Sequence, residues 1–255
     1  MTACDPAALR AALAVQRAQT IALLGTRLDR WPEPLQAGGT VAAYATWLGE
    51  VDRRAARGRV LALATPVPAS APVAAPIDLL EGAAAATRRL TGRLRWLPPP
   101  LWRARWGLRD GRAVSLADLL GQRLLTEWVV LTDPLLGGSG LVPPPQVAVC
   151  LVDAALARWP HAVLARSRAR VGVVQFAVAA ERRGPVVRRW GVDFPRRHYG
   201  PRVTASPDAT ITTWSGALAR LLERRVGPGG LDAEDLRIDG DAALAAAALP
   251  GPEGG

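Results

Sequence analysis

The 255-residue chain has no lysine and no asparagine, and all 32 of its basic residues are arginine. Both missing residues have AT-rich codons, whereas Ala, Arg, Gly, Pro and Leu dominate. The composition therefore points to a high-GC genome, such as that of an actinobacterium. Histidine is scarce as well: the only two are His161 and His198. Neither has a cysteine or a second histidine beside it, which argues against a local metal motif. Two cysteines, Cys4 and Cys150, are too few for a disulfide framework and form no Cys-x-x-Cys pair. Cys150 lies in an apolar run over 147–156 and reads as a buried small hydrophobe. No run reaches the roughly 18 apolar residues of a membrane span. The N-terminus, with Asp5 and Arg10, lacks the apolar core of a signal peptide. The expectation is a cytoplasmic protein with no membrane partner. A Gly-x-Ser-x-Gly elbow is missing, and Gly137-Gly-Ser-Gly140 lacks the Lys-Ser/Thr ending of a phosphate loop.

What is present is ordinary for a globular protein, with 49% hydrophobic and 21% charged residues. The length allows one large domain or two modest ones. The formal charge of +10 is uneven. Residues 158–202 hold eleven Arg against Glu181 and Asp193. Such a face suits anions or nucleic acid, or it is a solvated surface written in Arg where Lys codons are rare. No RNA-binding aromatic signature or recognition-helix motif accompanies it, which disfavours nucleic acid.

Hydrophobic spacing predicts a first helix over 6–30, with Leu9, Leu13, Ile21, Leu24 and Leu28 near one stripe and Pro32 and Pro34 after it. A second helix, N-capped by Thr40, is predicted to about residue 63, with Val41, Tyr44, Leu48 and Val51 on its apolar face. A Pro/Ala-rich connection over 65–76 leads to a third helix over 77–94. A loop with Trp102, Trp106 and four Arg precedes a fourth helix over 115–131, opened by Ser115 and Asp118. Four such helices make an up-and-down bundle. The Gly- and Pro-rich stretch 137–145 is the clearest linker. A fifth helix over 147–159 is expected to stop at Pro160. Strands are predicted over 171–178 and 186–194. The resulting division is a helical bundle over 1–136, a linker and bridging helix over 137–164, and an α+β domain over 165–255.

The C-terminal pattern is the most distinctive part. A β-branched strand over 209–213 is followed by a helix over 214–225 with Trp214, Leu218, Leu221 and Leu222 at helical spacing. A strand over 236–241 then ends in a turn that Gly240 permits, and a short helix closes over 242–249. This order resembles the C-terminal module of the mycothiol-dependent maleylpyruvate isomerase family, which is similar to the sterol carrier protein fold. The resemblance implies a two-domain α plus α/β protein: a DinB-like up-and-down four-helix bundle followed by a small α+β sterol-carrier-like domain.

In that family a His on the second helix, with a Glu and a His on the fourth, holds a divalent metal, usually zinc, that works with mycothiol. Here Thr40-Val41 matches the start of the second helix, and the His position falls on Trp47. On the fourth helix, matching Arg123 and Asp133 puts the Glu on Thr126 and the His on Val130. Matching Glu127 to the metal Glu puts the His on Leu131. Both registers lose the histidine, and neither helix contains any His or Cys. No metal ligands and no metal cofactor are therefore expected. Trp47 is expected to fill the vacated place against Val130 or Leu131. Glu127 is either a remnant of the site or a helix-face carboxylate paired with Arg123 four residues earlier.

Three residues are candidates for whatever chemistry remains. Glu127 is one. His198, in the loop over 195–201, is either a general base or substrate contact, or a surface residue. Arg225 falls on a family Arg position at a helix end, where it either grips a carboxylate or caps the helix dipole. The rings of Trp96, Trp102 and Trp106 either line an apolar pocket or serve packing. The functional expectation is a divergent isomerase-like protein without its metal site, a small-molecule-binding or accessory protein using the inter-domain cleft. Its ligand would be small and acidic or apolar. The alternative is an active mycothiol-dependent isomerase or transferase working without zinc.

Overall fold

The structure, a computed structural model, describes residues 5–34, 39–65, 76–107, 113–132, 135, 143–166, 171–201, 206–222, 231–232 and 234–249, with backbone only over 158–166. The chain divides into two compact units, Cys4–Leu141 and Val142–Gly255. The first is helical and the second carries a mixed sheet.

In the helical unit α1 spans Pro6–Thr26. Asp5 caps it by accepting from the N–H groups of Ala7 and Ala8, at 3.2 and 3.3 Å. The helix ends earlier than its apolar spacing predicts. A 3-10 turn over Leu28–Arg30 takes over, which leaves Leu28 exposed rather than in the stripe. The face that α1 buries is also less apolar than expected: Leu9, Leu13 and Leu24 flank buried Gln16, Arg17 and Thr20. Helix α2, Val41–Ala56, starts on the Thr40 cap. It stops near Gly58, whose φ of +89° leaves the helical region, and a 3-10 segment over Val60–Ala64 follows. Helix α3 is Pro76–Arg95 and packs along α2 and α1. Gly49 makes the close approach possible, because a Cβ there would lie 3.2 Å from the Ala83 Cα.

The stretch expected to be a loop around residues 98–115 contains regular structure. Helix α4 spans Pro99–Arg103, and β1 (Arg105–Gly107) pairs antiparallel with β2 (Ala113–Ser115). Helix α5, Leu116–Glu127, opens with a reciprocal cap between Ser115 and Asp118. It passes into a π-helical turn over Trp128–Thr132. Helix α5 contacts both α1 and the 3-10 segment after α2.

The second unit begins with α6, Pro145–Arg166. It runs through Pro160, so the expected stop there is wrong. A proline inside a helix loses its own hydrogen bond and clashes with one carbonyl, but the rest of the ladder continues. Cys150 on this helix is buried, as expected of a small hydrophobe. The five-stranded sheet has the order β5-β4-β3-β6-β7. Its strands are β3 (Val173–Ala179), β4 (Val186–Asp193), β5 (His198–Gly200), β6 (Ala209–Trp214) and β7 (Leu236–Gly240). All neighbours are antiparallel except β3 and β6, which run parallel with Phe176 opposite Ile211. Helix α7 (Ser215–Leu222) packs against α6, and α8 (Ala242–Ala248) covers β6.

The turn after β7 depends on Gly240. Its φ is +92°, and a Cβ would sit 2.3 Å from the Asp208 carbonyl oxygen. Gly240→Ala is expected to cost about 1–3 kcal/mol, through strain at positive φ and displacement of β6 from β7. Urea denaturation of the whole chain measures it. An unchanged midpoint would show that the two strands separate without loss.

Candidate functional site

The helical unit buries a cluster of charged and polar side chains from four helices. Arg17 comes from α1, Asp52 from α2, Thr87 from α3 and Glu127 from α5, and all are buried. Arg17 lies at the centre. Its Nε is 3.1 and 3.2 Å from the two Glu127 carboxylate oxygens, and its Nη2 is 2.9 Å from Oε2. Its Nη1 donates to Asp52 Oδ2 and to Thr87 Oγ1, the latter at 3.3 Å. Thr87 in turn donates to Asp52 Oδ2 at 2.9 Å.

A second set of contacts closes around Glu127. The Thr20 hydroxyl lies 2.7 Å from Glu127 Oε1 and 3.1 Å from the Thr132 hydroxyl. Gln16 Nε2 reaches Thr132 Oγ1 at 2.5 Å. Burial alone would lower the Arg17 pKa, but Asp52 and Glu127 outweigh it and hold the guanidinium firmly charged.

Arg123 faces the same interior by a different contact. Its Cζ is 3.5 Å from the Trp47 ring centroid, a cation–π geometry. Trp47 is buried, with Nε1 donating to the Thr65 carbonyl at 3.2 Å and its ring edge-on to Tyr44 at 4.9 Å.

The structure corrects one pairing: Glu127 bonds Arg17 across the unit and not Arg123 on its own helix. The reason is depth. A carboxylate buried at the centre of four helices turns toward the cation that can reach both its oxygens. Trp47 is inward-facing as expected, with its ring against Arg123 and Tyr44 and its N–H on the Thr65 carbonyl.

Of the three candidate residues two are described, and they lie in different units. Glu127 belongs to the helical unit. His198 belongs to the other, exposed on β5 with its Cα paired to Asp193. Arg225 lies outside the described residues. His161 is described only as backbone in α6. Of the tryptophans near residue 100, Trp102 is buried in the core and Trp96 is 81% exposed. Four described arginines of the 158–202 window pair with carboxylates. Arg182 bonds Asp232 and Asp235, Arg188 bonds Asp153, and Arg196 bonds Asp193. Arg183 pairs with Glu234.

Sequence reasoning missed Arg17, Asp52 and Thr87. Their signal was available. Asp52 stands four residues after buried Leu48, and Arg17 four after buried Leu13, both on the apolar faces of their helices.

The donor set does not match a zinc site. It offers two carboxylates, both bonded to one guanidinium, and no imidazole or thiolate from α2 or α5. Among the described residues no group of three or more His, Cys, Asp or Glu is placed to hold an ion.

No known family profile and no curated protein matches the sequence. Solved structures do. The crystal structure of the mycothiol-dependent maleylpyruvate isomerase aligns with 14% identity and a TM-score of 0.51, covering 91% of this chain and 96% of that one. Sterol carrier protein 2 like 2 from Aedes aegypti aligns with 26% identity and a TM-score of 0.31, over 38% of this chain and 91% of that one. The first likeness establishes a shared fold. Among the described residues no helix is long and apolar enough to cross a membrane.

Proposed function

We propose that this chain is a metal-free small-molecule-binding or accessory protein built on the maleylpyruvate isomerase-like fold. Its helical unit is a DinB-like four-helix bundle and its sheet unit a sterol-carrier-like domain. The observation that carries the reading is Arg17. In a metal-dependent relative of this fold, inward carboxylates would be free to ligate a cation. Here one guanidinium, charged at any accessible pH, already occupies both Glu127 oxygens and one of Asp52. A divalent ion would have to displace it and would still find no imidazole beside it.

The test is elemental analysis by mass spectrometry of the full chain, purified without chelator. The expected result is far less than one transition metal per chain, with no gain on dialysis against zinc. About one metal per chain, lost in Glu127→Ala, would overturn the reading.

A further inference from the structure

Arg123 is 3% exposed, yet its Nε, Nη1 and Nη2 meet no hydrogen-bond acceptor. Buried guanidinium groups are ordinarily paired, so a full set of unmet donors calls for an occupant. The nearby carboxylates do not bond Arg123, although Asp52 Oδ1 is itself unmet. Glu127 is bonded to Arg17 and Thr20, and Asp52 Oδ2 to Arg17 and Thr87. Burial pushes the Arg123 pKa down, and the charge on Arg17 adds to the effect. Tyr44, Asp52 and Glu127 push the other way without offsetting it. The surroundings therefore do not stabilise the Arg123 charge, and an added anion would.

We propose that Arg123, with its face held against Trp47, binds the carboxylate of a small organic acid. This deepens the small-molecule-binding reading and rests on it. The indole covers one face of the guanidinium, so the unmet N–H groups lie in the plane of the fork. A planar fork presenting parallel N–H bonds matches a carboxylate edge-on. Charge selects a monoanion over a phosphate dianion. Asp52 and Glu127 are buried in the same interior and repel each negative charge of an occupant, so a dianion is disfavoured more than a monoanion.

The experiment uses the full chain with benzoate, acetate and inorganic phosphate as probes. Binding is followed by calorimetry and by the side-chain Nε–Hε signals of 15N-arginine-labelled protein. The Arg123 signal is identified by its loss in Arg123→Lys. Benzoate or acetate is expected to bind saturably and move that signal, with phosphate weaker. Arg123→Lys keeps the charge but loses the fork, and should weaken binding about tenfold or more. Arg123→Leu should abolish it.

Two results would overturn the site. One is wild-type protein whose Arg123 signal ignores both carboxylates, as a site filled only by water would. The other is a folded Arg123→Leu that binds as tightly as wild type. The signal measurement needs only wild-type protein to be folded. Failure of the carboxylates in metal-free protein removes this site alone, whereas stoichiometric metal removes the functional reading itself.

Discussion

Arg17→Met is expected to destabilise the helical unit by about 3–5 kcal/mol, because it strips the shared cation from two buried carboxylates. Removing one partner of a buried ionic group leaves the desolvation of the others uncompensated, which costs more than the group contributed when intact. The companion variant separates those effects. Replacing all three charges together, with Arg17→Met, Asp52→Leu and Glu127→Leu, should recover part of the loss, since it also takes the Asp52 and Glu127 charges away from buried Arg123. The two threonines that lose partners keep others: Thr20 Oγ1 is 3.0 Å from the Gln16 carbonyl, and Thr87 Oγ1 is 3.0 Å from that of Ala83. Urea midpoints for the single and triple variants measure both. A single variant as stable as wild type would mean that the cluster is hydrated and the three charges are not dependent on one another.

The second large effect is expected at Trp47. Trp47→Ala should cost about 3–5 kcal/mol, the usual range for truncating a buried aromatic. The ring provides more than buried area, since it supplies the face on which Arg123 rests and the edge contact to Tyr44. Trp47→Phe keeps a face for the guanidinium but drops the bond to the Thr65 carbonyl, so its loss should be clearly smaller. Thermal denaturation of the two variants gives the comparison. Equal losses would assign the energy to the indole N–H and not to the stacked ring.

How much of this was legible beforehand differs by element. The capped starts of α2 and α5 were plain, because Thr40 and Ser115 with Asp118 are local chemistry. The helix, strand and turn near Gly240 were plain for the same reason. Helix ends were less so: Gly58 stops α2 by a backbone conformation that apolar spacing does not register. The short strand β5 is held by pairing with distant β4, and the run over 195–201 reads as a loop without that partner. Trp47 was legible as an inward residue, but its contact with Arg123 was not, since the two sit on different helices. The cluster itself was hidden because Arg17 finds its partners 35, 70 and 110 positions away. Periodicity can say that Arg17 and Asp52 face inward; it cannot say that they face each other.

The π-helical turn over Trp128–Thr132 bears on how this chain compares with others. Such a turn closes its hydrogen bonds over five residues and takes in one more residue than an α-turn. Set beside a helix with no such turn, the residues before and after it line up in frames offset by one. The two registers, one anchored on Arg123 and Asp133 and the other on Glu127, differ by that single step. Arg123 and Glu127 both precede the turn, so it moves only the matches that follow Glu127. A position-by-position match of inward residues is therefore meaningful only when made separately up to Glu127 and beyond Thr132.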